Sequence, residues 1–263
     1  CFTLGAAVGA TVAIAGHPYL AILAAMAAGV LSGFITALLQ TKMGIDSLLA
    51  GIIVNTGLYS INIAVMNGSS LLNMNKTETV FTKAKALLEG TFLADQYKLV
   101  VALVAVALVV AFLALFLRTR LGLAIRATGA NPNMARAQGS NTNANVVLGL
   151  MVSNGLVALS GGLLAQFQGA ADVGMGRGAI VIGLAAVIIS EVTFGKIFRN
   201  FGLKMFAVAL GAVIYFFVLQ IVLQLGLNTN DLKLISALIV AIFLSVPYWK
   251  GKLIHKKGGV HHA

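Results

Sequence analysis

Residues 100–117 read VVALVAVALVVAFLALFL, an unbroken apolar run with Lys98 before it and Arg118 and Arg120 after it. A helix rises 1.5 Å per residue, so about 20 apolar residues cross a hydrocarbon core about 30 Å thick. Lipid offers the backbone no partner, and a helix satisfies its own hydrogen bonds, so the run is read as a spanning helix. Working outward from this segment (98–117), further apolar segments fall at about 2–16, 18–39, 46–66, 146–164, 179–193, 205–225 and 232–249. The expected fold class is all-α: one polytopic transmembrane helical bundle over residues 1–263 with about eight spanning or partly spanning segments. Composition agrees, because 10% of the residues are charged and the mean hydropathy is +0.98, whereas soluble domains run near a quarter charged. The chain opens without Met on Cys1, already inside an apolar segment, and is expected to lack its natural N-terminus.

The net charge of +11 does not point to nucleic acid, because the basic residues sit in links between apolar runs rather than on one soluble face with aromatics interleaved. They follow the positive-inside pattern instead. Lys250, Lys252, Lys256 and Lys257 have no acid among them, which places the C-terminus in the cytoplasm. Counting back puts Lys196, Arg199 and Lys204 inside, together with the loop 118–145 that carries Arg118, Arg120, Arg126 and Arg136, and Lys42. The loop 67–97 falls outside, where Lys76, Lys83 and Lys85 are balanced by Glu78, Glu89 and Asp95. Segment 179–193 follows the glycine-rich stretch 174–178 and ends at Glu191, so it is expected to enter the membrane without crossing cleanly. The pairs Gly5/Gly9 and Gly29/Gly33 are small-xxx-small patterns that let helices approach closely.

A route for a polar solute needs polar side chains at membrane depth. Asn55, Tyr59 and Asn62 share one helix face at i, i+4, i+7, and Asn154 and Ser160 are candidates for the same path. The alternative is that these groups bond neighbouring helices. Glu191 at the edge of its segment needs a partner or water. It forms either an interfacial ion pair with Lys196 or Arg199, or a proton-coupling carboxylate.

Several chemistries are excluded. The single Cys1 gives no disulfide framework, the histidines other than His17 lie in the tail, and no metal constellation forms. Leu159-Ser-Gly-Gly-Leu163 resembles an ATPase signature loop but lies in an apolar helix. There is no G-x-x-x-x-G-K-[ST], since Gly195-Lys196 has Ser190 where the first glycine belongs. The chain is therefore expected to carry no ATP site, no catalytic residues and no cofactor of its own.

The loop 118–145 holds Arg126-Ala-Thr-Gly129-Ala-Asn131-Pro132-Asn-Met134-Ala135-Arg136-Ala-Gln-Gly139-Ser-Asn141. Asn131 suits an N-cap, Pro132 the first helical position and Gly139 the left-handed residue after the end. The pattern predicts a helix of about two turns standing alone in the loop. Such a helix is too short to hold in water, so something must pack on it.

Here the sequence resembles the ABC importer permeases of the branched-chain amino acid, ribose and nucleoside group. Arg126, Ala127, Gly129, Asn131, Pro132, Ala135, Arg136, Gly139 and Asn141 match the family pattern, while Met134 and Ser140 depart from it. The opening Phe2-Thr-Leu-Gly5-Ala-Ala and the late Gly183-Leu-Ala-Ala-Val-Ile-Ile are similar to family segments, and the overall wording is nearest to the subgroup paired with tryptophan- or tyrosine-type binding lipoproteins. The resemblance implies a multi-pass protein of the bacterial cytoplasmic membrane that moves a small polar solute. Its implied partners are a separate ABC ATPase that binds the ATP, an extracytoplasmic solute-binding protein and a second permease chain, and the loop helix would couple to the ATPase. The alternatives left open are an ion-coupled secondary transporter using Glu191, which needs no ATPase, and a structural membrane protein, which needs no polar pathway.

Overall fold

Glycine and alanine decide how the first unit of this chain packs. The computed structural model describes residues 1–75, 77–88, 96–195 and 201–224, with Ala241 and Ser245, and divides into two units, Cys1–Arg177 and Gly178–Ala263. In the first unit the elements run α1 (Phe2–Ile14), α2 (Pro18–Thr41), α3 (Ser47–Val65), β1 (Leu71–Asn73), α4 (Val80–Leu88), α5 (Tyr97–Phe116), α6 (Arg120–Ala130), α7 (Pro132–Ala137), α8 (Thr142–Gln168) and β2 (Ala170–Asp172). The second unit contributes α9 (Ala179–Phe194) and α10 (Phe201–Gln224).

α8 lies along both α1 and α2, and their seams are made of backbone and methyl groups. Ala6, Ala7, Ala10, Ala13, Ala21, Ala25 and Ala37 are fully buried. A Cβ on Gly5 would overlap the carbonyl of Ala158, and one on Gly33 would overlap the carbonyl of Leu150. The two glycine pairs thus do what their spacing predicts. Lipid tails are as apolar as leucine, so helices associate through close van der Waals approach rather than through exclusion of water.

One end of this block is closed by a feature that the all-α expectation omits. β1 pairs antiparallel with β2, Leu72 opposite Ala171, which joins the segment after α3 to the end of α8. The buried Gln166 reinforces the join: its Nε2 donates to Pro18 O at 3.1 Å and its Oε1 accepts from Val80 N at 2.9 Å. α4 also sets Phe81 edge-on against Phe167, with ring centres 5.5 Å apart, and Lys83 pairs with Glu78 at 3.3 Å. The loop 67–97, as far as it is described, is therefore a fastened cap at the end of α8.

Five helices among the described residues are long and apolar enough to cross a membrane: α2, α3, α5, α8 and α10. α1 and α9 are apolar but shorter, with 13 and 16 residues. The expected total of about eight crossings is not reached among the described residues. Of the eight apolar segments, seven coincide with helices, and 232–249 lies outside the described residues apart from Ala241 and Ser245. α9 would span about 24 Å at 1.5 Å per residue, short of a hydrocarbon core. In the second unit α9 and α10 pack through Ala185, Ile189 and Tyr215, and Gly211 lets the α10 backbone approach Ala186.

Candidate functional site

The loop between α5 and α8 is built as two short helices rather than one. Thr119 starts α6: its hydroxyl donates to Phe116 O at 2.6 Å and accepts from Gly122 N at 3.3 Å. α6 stops at Ala130 because a proline at 132 disfavours helical geometry in the residue before it, and Asn131 is extended at φ −155° and ψ 100°. That same Asn131 opens α7, its Oδ1 accepting from Met134 N at 3.0 Å. Pro132, with no N–H to leave unpaired, occupies the first helical position. At the other end Gly139 is left-handed at φ +81°. Gly139 N donates to Arg136 O and Ser140 N to Ala135 O, both at 3.0 Å, the paired bonds that close a helix over a left-handed residue.

The start and stop signals read from the sequence are therefore realised, but α7 has six residues and does not stand alone, because α6 leads straight into it. The loop residues also divide in an unexpected way. Met134 is 62% exposed, whereas Ala135 is 5% exposed and packs within its own chain. Arg136 turns back, its Nη2 and Nε donating to Thr142 Oγ1 at 3.0 and 3.4 Å on the first turn of α8. Arg126 and Gly129 lie on the exposed side of α6, and Gly129 has open space beside it. Next to them a groove of about 290 Å³ runs between α6 and α8, with Gly129, Thr128, Asn145 and Ser153 in its wall.

The five candidate pathway residues are not gathered into one cavity. Asn55 and Tyr59 are exposed on α3 and Ser160 on α8. Asn62 is 4% exposed, and its Oδ1 has no hydrogen-bond partner among the described residues. Asn154 is half-buried, donates from Nδ2 to Leu150 O at 2.9 Å, and faces α2 beside Gly29 and Gly33. Glu191 is exposed, while Lys196 and Arg199, its expected partners, lie outside the described residues.

Some residues that matter here were missed by sequence reasoning. Thr128 and Asn145 are both buried and bonded to each other at 2.9 Å, fastening α6 to α8. The signal available was an Asn at the start of an apolar run, four residues after the capping Asn141.

Residues 1–246 match the family described as branched-chain amino acid transport system / permease component. The chain is similar to the tyrosine transport system permease protein of Clostridioides difficile (strain R20291), 38% identical over 245 residues, which are 93% of this chain and 78% of that one. It is also 34% identical to an uncharacterized protein of Rickettsia prowazekii (strain Madrid E) over 248 residues, 93% of this chain and 84% of that one. No solved structure matches.

Proposed function

Since the chain belongs to the family of branched-chain amino acid transport system permease components, we propose that it is the membrane-spanning subunit of a bacterial ATP-binding cassette importer for an amino acid, an aromatic one first. The observation that carries this reading is α7, capped at both ends and presenting Met134 outward from a loop at the end of α8. A six-residue helix has no stability of its own. Its specified ends and exposed methionine fit a surface shaped for another protein, which in this reading is the ATPase.

In this reading the loop 118–145 lies in the cytoplasmic face of the inner membrane with the C-terminus, and the β1–β2 and α4 cap lies outside, where an extracytoplasmic binding protein delivers solute. Two such permease chains surround the route. ATP is bound by the partner subunit, and its binding must differ in strength between inward-open and outward-open states to shift the population between them. The amino-acid assignment rests on the likeness to the Clostridioides tyrosine transport system permease protein.

The test is import of labelled tyrosine into vesicles that hold the chain and its binding protein, with and without the ATPase. Import should require both ATPase and ATP. Import driven by an ion gradient with the ATPase left out would overturn the proposal.

A further inference from the structure

The backbone joins the loop helices to the bundle at both ends, but buried side chains fasten them chiefly to α8. On the first turns of α8, buried Asn145 donates from Nδ2 to Thr128 Oγ1 at 2.9 Å, with Ala124 O at 3.5 Å, both on α6. The Thr128 hydroxyl donates in turn to Ala124 O at 2.8 Å, so its lone pairs are what Asn145 uses. Three residues before Asn145, buried Thr142 accepts the guanidinium of Arg136 from α7. The Asn145–Thr128 pair is buried at both ends and costly to leave unmade, while the bond from Arg136, itself exposed, gains from its charged donor. α5, at the other end of the loop, buries none of its described residues. α8 instead carries the glycine and alanine face on which α1 and α2 close.

We infer that Thr128, Asn145 and Thr142 are positioning residues that make α6 and α7 one lever with α8, so that a displacement of α7 turns α8 with α1 and α2 as a unit. This rests on the reading of α7 as the ATPase dock. The residues touch neither solute nor nucleotide and act through the helices they hold.

The test uses the reconstituted complex of the chain with its ATPase and binding protein, with tyrosine as the solute. With Cys1 replaced by Ala and the labelled chain diluted into unlabelled chain, spin labels at Gln138 and Ser153, on the two sides of the lock, should give one narrow intrachain distance distribution that ATP leaves unchanged. Thr128→Val should broaden that distribution and lower tyrosine imported per ATP hydrolysed about tenfold, the factor for one buried hydrogen bond left unmade, and Thr142→Val, whose partner Arg136 is exposed to water, should do so by a smaller factor. The ATPase should copurify as before, and Thr128→Ser, which keeps the hydroxyl, should keep the parental ratio. A distance that changes with ATP in the parent chain would overturn the lever. So would parental import per ATP in both valine variants, or loss of the ATPase from both, which marks the contacts as structural only. A parent chain that holds no ATPase sinks the importer reading, and the lever with it.

Discussion

Met134 and Ala135 are adjacent, yet one faces out and the other is buried in its own chain. A charge at Ala135 would disrupt the loop itself, so Met134 is the position that reports on a partner. Met134→Glu should leave the chain inserted and folded while the ATPase is lost in a pull-down, because it puts an unpaired carboxylate into a desolvated contact. Gly139→Val should strain the left-handed cap by about 1–2 kcal/mol and loosen α7, read as faster amide exchange at Ser140. Within the bundle, glycines differ by what stands opposite them. Gly33→Val should lower the melting temperature in detergent through overpacking of about 1–3 kcal/mol, whereas Gly57→Ala, with open space around it, should be neutral or gain up to about 1 kcal/mol. Equal effects of the two would contradict the close-packed seam. The cap residues were legible because capping is local, while the partner of Arg136 was not, since Thr142 lies across a turn whose geometry no spacing rule supplies.

Among the elements, the long apolar helices were readable from their runs alone. α6 was not: RLGLAIRATGA carries two glycines and two arginines and lacks an apolar face long enough to mark it. The β1–β2 pairing was hidden for another reason, since three-residue strands far apart in sequence leave no periodicity to read. The cap they form makes its own prediction. Gln166→Leu removes two buried bonds and leaves Val80 N–H, at the start of α4, unpaired at about 1–3 kcal/mol, while Pro18 C=O keeps its place in the first turn of α2. Trypsin should then cut at Lys83 or Lys85 at concentrations that spare the parent chain. Equal resistance would mean that the strand pair alone holds α4.

Across the first unit, α8 is the measure of the molecule. Its 27 residues rise about 40 Å, with the α6–α7 loop at one end and the β1–β2 cap at the other. The charge pattern assigned those two ends to opposite sides of a membrane, and the fold sets them at opposite ends of α8. With Cys1 replaced by Ala, a cysteine at Lys83 should react with an impermeant maleimide added to intact cells, and one at Met134 only after permeabilisation. The reverse order would invert the topology. The pathway was the least legible part, because Asn55, Asn62 and Asn154 share polarity but meet different neighbours. The central claim, that a separate ATPase drives this permease through α7, is tested most directly by a photo-crosslinking amino acid at position 134 in living cells. The expected product is a covalent adduct between this chain and an ABC ATPase, whereas adducts only with lipid or with the chain itself, in cells that still import the solute, would contradict it.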